Sequence, residues 1–414
     1  MGNQGVIFES RVDRSDGYII QMFSDTDWYK VTMGQFFYHQ FPAATAEYRF
    51  KCRNDDVDLL PYKNEIENEI DHLCSLRYTE QELAYYATKS YIKSDYLEFL
   101  RLFQFNPKYI EIGEREGKLD IHPTGPLTHV SPFEIYVLKI VHEVYSRNVH
   151  GDVDFTEGRE ILEEKIALIK EYSKKVGLTP KAALPITDFG GRRAERGSWH
   201  EEVVWRMAEA GVLVGTSNPM LAMLYDLICI GTMAHESLQA GQALGVRLIE
   251  SQRYILQKWA DEYRGELGIA LSDNLGIDKF LLDFDMYFAK LFDGLRHDSG
   301  CPFEWGDKVI AHYKKMGIDP MTKFAVFSDG LNIPKAIEIM DYFRGRIKVS
   351  FGIGTDLTND VGFKALQNVI KMIFCNGHPV AKLSDSVGKG MCEDPEFEGY
   401  LRSAVRRELE AQFK

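Results

Sequence analysis

Residues 324–355 read FAVFSDGLNIPKAIEIMDYFRGRIKVSFGIGT, and the fold turns on how this stretch is read. Phe324–Phe327 is a short apolar run that stops at the loop signal Ser328-Asp329-Gly330. Pro334 opens a helical pattern just after Ile333, because its fixed φ suits a first helical turn, and Gly345 closes it. Ile347–Phe351 is a second apolar run, ending in Gly352-Ile353-Gly354-Thr355. Two strands joined by a crossover helix predict parallel pairing.

The same unit recurs outward from this stretch. LPI at Leu184–Ile186 ends in TDFGGRR, GVLV at Gly211–Val214 in GTSN, GIAL at Gly268–Leu271 in Ser272-Asp273, and PVAKL at Pro379–Leu383 in Ser384-Asp385-Ser386. A helical pattern over Glu304–Met316 closes at Gly317. Polar residues gather after the strands and few before them. An open doubly wound sheet binds at one switch point. So many loaded strand ends favour a closed α/β barrel, in which the C-terminal strand ends share one face. The first half is mixed. Ala46–Arg53 alternates like a half-buried strand, Asp56–Phe103 has helical spacing, and Ser131–Val144 is spaced like a buried helix with Ser131 and Pro132 as N-cap and first-turn residues.

The 414 residues carry 62 acidic and 49 basic side chains, a formal charge of −13, with 45% hydrophobic and 27% charged residues. That composition excludes intrinsic disorder and collagen-like repeats, and the acidic balance argues against a nucleic-acid partner. The six cysteines form no C-x-x-C pair, so reduced thiols are expected. Met1–Arg14 has no apolar run or cleavage pattern of a secretory signal, and Met220–Ile230 is too short for a bilayer span. The simplest expectation is a cytoplasmic enzyme without membrane contact.

Several residue groups suit ligand chemistry. Gly352, Gly354 and Thr355 follow a strand, where backbone N–H groups can approach a phosphate, although a plain turn explains them equally well. Asp188, Asp273, Asp298 and Asp329 lie at strand ends and could serve Mg²⁺ or ribose hydroxyls, or cap helices. Arg192, Arg193 and Arg296 could clamp an anion or form surface ion pairs. His235 could be a nucleophile opening a long helix towards Arg264, oriented by Glu236 or another carboxylate, or a structural histidine. Ser24–Lys30 (SDTDWYK) reads as a capped helix start with Tyr29 in the core, or as an aromatic platform for a planar ligand.

Taken together, DTDWYK (25–30), ITDFGGRR (186–193), GTSN (215–218), GTMAHE (231–236), GIALSDN (268–274), GLRHDSG (294–300), VFSDGL (326–331), SFGIGTDLTND (350–360) and PVAKLSDS (379–386) resemble the nicotinate phosphoribosyltransferases, the NAD-salvage branch of the type II phosphoribosyltransferases. The resemblance runs from Asp25 to Ser386. It implies an irregular parallel α/β barrel over 151–386, and an N-terminal α/β domain over 1–150 completed by residues 387–414. It implies a homodimer with shared active sites, and ATP-coupled joining of nicotinate to 5-phosphoribosyl 1-pyrophosphate. His235 would be the transiently phosphorylated histidine. Phe189 and a partner's Tyr29 would sandwich the pyridine ring, and Arg192 and Arg296 would contact nicotinate or phosphoribosyl groups. Asp273, Asp298 and Asp329 would serve ribose hydroxyls and Mg²⁺-bound pyrophosphate, with Asp273 and Asp298 nearest the metal. Gly330, Gly352, Gly354 and Thr355 would cradle the 5-phosphate.

Ser217 stands where nicotinamide-using relatives carry an acid. An uncharged donor there suits a substrate carboxylate. Ala194-Glu195-Arg196-Gly197 departs from the family's more basic continuation, which leaves Arg193 and Arg196 without assigned contacts. The rivals are a nicotinamide-using transferase, opposed by Ser217, a barrel aldolase with Lys382 as Schiff base, and a non-catalytic metabolite sensor on the same fold.

Overall fold

The computed structural model describes residues 8–386, 390 and 392–411. Its strands are β1 Thr45–Cys52, β2 Ile110–Arg115, β3 Lys118–Pro126, β4 Ile186–Asp188, β5 Leu213–Thr216, β6 Ile228–Cys229, β7 Ile269–Leu271, β8 Gly294–His297, β9 Phe324–Phe327, β10 Lys348–Ile353, β11 Asn368–Cys375 and β12 His378–Pro379.

Strands β4 to β10 form one parallel sheet in the order β6-β5-β4-β10-β9-β8-β7. That order is sequential around a circle, interrupted only between β6 and β7. The gap is bridged by a side chain: Thr232, just past β6, donates from Oγ1 to the carbonyl of Ile269 in β7 at 2.8 Å. The sheet is therefore a curled, irregular barrel, as the repeated strand ends predict. Because every strand runs the same way, Asp188, Thr216, Asp273, Asp298, Asp329 and Gly354 all follow strand ends on one rim. Helices Pro302–Lys315 and Ile333–Phe343 follow β8 and β9, and Gly317 and Gly345 past their ends adopt φ of 67° and 72°.

The second sheet is antiparallel, ordered β12-β11-β1-β3-β2, and uses both ends of the chain. Helix Phe133–His150 packs between it and the barrel, with Asn368 Nδ2 donating to the Leu138 carbonyl. No described helix is long and apolar enough to cross a membrane. All six cysteines are free.

Four expectations change. PVAKL is not a barrel strand: only its first residue lies in a strand, β12, and that strand pairs with β11. The N-terminal sheet is completed by Asn368–Cys375 and His378–Pro379, upstream of 387–414. Residues 387–389, 391 and 412–414 lie outside the described residues, and the rest of that tail forms helix Pro395–Ala411. Its Leu401 and Val405 pack on Leu275 and Leu383, beside the barrel's rim loops. Ser131 does not cap its helix; its hydroxyl goes to Glu236. The long helix expected from His235 is two, His235–Ala240 and Ser251–Tyr263, separated by irregular chain around Gly245.

Candidate active site

His235, Asp273 and Asp298 converge on the barrel rim, with ligand atoms all within 4.8 Å of one another. His235 is the first residue of its short helix and is only 8% exposed. Its Nε2 lies 2.7 Å from Asp273 Oδ1 and 3.8 Å from Asp298 Oδ2. A carboxylate can only accept, so Nε2 carries the proton and Nδ1 keeps its lone pair. Burial and the nearby Lys382 charge lower the pKa of His235, so the ring is neutral at pH 7. Asp273 is held well below the usual carboxylate range. Burial opposes this, but the hydrogen bonds from His235 and Lys382, with the Lys382 charge, outweigh it.

Both oxygens of Asp273 are taken. Oδ1 faces His235, and Oδ2 accepts from Ser299 Oγ at 2.6 Å and lies 2.8 Å from Lys382 Nζ. Asp273 is fully used by the protein and does not fit a directly bound metal ion. Asp298 accepts on Oδ1 from Ser328, while Oδ2 stays in a partly exposed carboxylate between His235 and Lys382, both 3.8 Å away. Asp298 thus fits an outer-sphere Mg²⁺, whose oxygen preference and bound waters suit one carboxylate at a cleft. Against burial, the Arg296 charge, with Lys382 behind it, holds Asp298 below the ordinary carboxylate value. The Arg296 Nε is buried without a hydrogen-bond partner. Asp329 sits close enough to His297 to act on its charge.

A second cluster lies across the cleft. Asp27 is at the N-cap position of helix Trp28–Gln40 but makes no side-chain cap. Its Oδ1 accepts from Ser217 Oγ at 2.8 Å, and its Oδ2 lies 3.4 Å from Arg192 Nε. The Ser217 hydroxyl that the resemblance directs at substrate is therefore donated to Asp27. Burial raises the Asp27 pKa even so. Tyr29, which the resemblance takes from a partner subunit, is buried in its own chain within electrostatic range of Arg192 and Glu134. Phe189 lies against Gly352, where an added Cβ would stand 2.2 Å from the ring, so only glycine admits the ring there. Gly330 needs glycine for a different reason, a left-handed φ of 56°. Gly354 precedes the short helix Thr355–Thr358.

Lys371 of β11 connects the clusters. It lies in the field of Glu134, Lys382, Arg192 and Asp298, and burial lowers its ammonium to about 8. Four cations, Arg192, Arg296, Lys371 and Lys382, thus lie within electrostatic range of Asp298 in a chain of charge −13.

Other candidates are structural. Asp188 spends its oxygens on Gly190 N, His200 Nε2 and Thr216 Oγ1. Arg196 bonds Ser146, Glu195 and the Gly151 carbonyl, well away from the rim. Arg193 donates to the Asn368 carbonyl at 3.3 Å. Glu236 does not orient His235; Asp273 does. Asp27 and Ser299 lie inside the motifs quoted above but receive no role of their own from the sequence, Lys371 carries no local signal in it, and Lys382 has one only as an apolar run's lone cation.

Comparison with known proteins gives one family. Residues 184–409 match the model of the nicotinate phosphoribosyltransferase (NAPRTase) family, and 25–142 match its N-terminal domain. A Burkholderia cenocepacia (strain HI2424) protein named nicotinate phosphoribosyltransferase is 53% identical over 390 residues, 93% of this chain and 96% of its own. The protein of that name from Cupriavidus necator is 52% identical over 390 residues, covering 93% and 97%. The crystal structure of nicotinate phosphoribosyltransferase from Vibrio cholerae superposes with a TM-score of 0.88 at 37% identity, covering 96% of this chain and 98% of the other.

Proposed function

The chain belongs to the nicotinate phosphoribosyltransferase family, and from that premise we propose that it joins nicotinate to 5-phosphoribosyl 1-pyrophosphate with ATP hydrolysis coupled through phospho-His235. The observation that carries this reading is the neutral His235 ring with Nε2–H fixed on Asp273, which leaves Nδ1 as the nucleophile.

In the loading step the Nδ1 lone pair attacks the γ-phosphorus of ATP, a P–N bond forms, and the P–O bond to ADP breaks. The imidazolium so formed is stabilised by Asp273. In the transfer step the pyridine nitrogen bonds to C1 of the ribose as the C1–O bond to pyrophosphate breaks. Nicotinate mononucleotide and pyrophosphate result, and no proton has to be abstracted. Positive charge grows on the ribose and negative charge on the leaving group, which Arg296, Lys371 and Lys382 would meet. Water then cleaves the P–N bond to release phosphate and restore His235. Bound with the pyrophosphate and held by Asp298 through water, Mg²⁺ would neutralise leaving-group charge. Phe189 and Tyr29 would flank the ring, Arg192 would meet the nicotinate carboxylate, joined by Ser217 once its hydroxyl turns from Asp27, and Gly330, Gly352, Gly354 and Thr355 would receive the 5-phosphate. Asp273, with both oxygens taken, would act through His235, and Asp329 would meet the ribose hydroxyls.

We extend the proposal to a cytoplasmic homodimer, for which light scattering should return twice the chain mass. Tyr29 already borders its own chain's cleft, so any sharing of sites would fall to other residues. The decisive experiment measures nicotinate-dependent pyrophosphate release with and without ATP, alongside acid-labile phosphate on His235. Equal rates with and without ATP, and no phosphoenzyme, would overturn the coupling.

A further inference from the structure

The residue after His235 and the residue after Tyr29 are bonded to each other. Lys30 Nζ lies 2.5 Å from Glu236 Oε1, and both side chains are nearly inaccessible, at 2% and 5% exposure. Glu236 is held at both oxygens, with Tyr48 Oη donating to Oε2 at 2.5 Å and Ser131 Oγ to Oε1 at 2.9 Å. Lys30 is shared with Glu134 at 2.8 Å.

The two segments are also fastened along their length. Thr32 Oγ1 donates to the Thr232 carbonyl at 2.6 Å, and the Ala234 amide approaches Met33 Sδ at 3.2 Å. A Cβ at Gly231 would stand 3.0 Å from the Tyr29 amide nitrogen. The loop carrying His235 therefore cannot shift without moving the first turns of the helix that carries Tyr29. A surface loop bearing a nucleophile needs none of this. A buried ion pair is weak evidence for stability, because its desolvation cost offsets the attraction, so its retention here points to geometry rather than to folding energy.

We infer that Lys30, Tyr48 and Ser131 act through Glu236 as positioning residues that tie the state of His235 to the pyridine-binding side of the cleft. The link runs from His235-Glu236 to Lys30-Tyr29. Charge and bulk gained at His235 on phosphorylation would then alter nicotinate affinity, and by reciprocity bound nicotinate would alter loading at His235. This inference rests on the phosphohistidine reading above.

The test uses the full chain with two variants, Tyr48→Phe, which keeps the ring and loses one bond to Glu236, and Glu236→Gln, which keeps the shape and loses the charge. The readout is ATP consumed per nicotinate mononucleotide formed, with the nicotinate KM. A variant that merely folds poorly lowers both rates together and leaves that ratio unchanged. We expect the ratio to rise at least about threefold in both variants, the lower part of the range of couplings removed by mutations between sites. Wild-type phosphoenzyme with an unchanged ratio in both variants would overturn the inference and spare the function. Absence of wild-type phosphoenzyme would overturn both.

Discussion

His235 owes its chemistry to two neighbours that do opposite things. Asp273 fixes the ring's tautomer, while burial, with the Lys382 charge behind it, keeps the ring from protonating. His235→Ala should therefore keep weak, ATP-independent transfer and lose all nicotinate-stimulated ATP hydrolysis. Steady-state kinetics with and without ATP check this. Because the His235 pKa is lowered, phosphoenzyme formation should stay level as pH falls through about 6.5, the ordinary histidine value, and decline only below it; rapid-quench labelling across pH measures it. Lys371 bears on the opposite limb. It is charged below about 8 and neutral above, so the KM for the pyrophosphate substrate should rise as pH passes that value. Lys371→Met should have a raised KM throughout and lack that inflection. At this scale the sequence is only partly legible. Arg296 and Asp298 stand out because ligand-type residues crowd one short loop, whereas His235 by spacing alone reads as well as a structural histidine. Asp188 and Asp273 look alike at their strand ends, yet one is locked by His200 and Thr216 and the other holds His235. Their partners are distant in sequence, and no local pattern reveals them.

Single elements carry a second kind of constraint. The end of β10 admits the Phe189 ring only because Gly352 has no side chain. Gly352→Ala should push that ring from its place, raise the nicotinate KM about tenfold and cost about 1–3 kcal/mol of stability, the usual range for overpacking. Urea unfolding and nicotinate kinetics report the two effects separately. The strands themselves are readable because an apolar run that ends in polar or glycine residues is a local signal. Phe324–Phe327 agrees residue for residue. PVAKL carries the same signal and belongs to no barrel strand, since an apolar run does not say which sheet will take it. The shortness of helix His235–Ala240 was equally hidden, because helical spacing continues across Gly241 and Gly245.

Over the whole molecule, the barrel closes without a backbone ladder between β6 and β7. Thr232→Val removes the bridging hydroxyl and leaves the Ile269 carbonyl without that donor. The expected loss is about 1–3 kcal/mol, the cost of stranding a partly buried acceptor, together with faster amide exchange at β6 and β7 than at β4 and β10. Hydrogen-exchange mass spectrometry distinguishes that local opening from general destabilisation. The barrel as a class is legible from the repeated units, whereas its seam is bridged by a side-chain hydrogen bond that no local pattern reveals.

The small sheet has a consequence for how the protein is made. β1 leaves the ribosome early, but its neighbour β11 follows roughly 320 residues later, about 15–60 s at ordinary synthesis rates. Through that interval one edge of β1 has no strand to pair with, while the barrel strands emerge and can close first. An unpaired edge is a template for wrong pairing. Nascent chains halted before Asn368 should therefore aggregate or hold chaperones, and release should follow once Cys375 has cleared the exit tunnel.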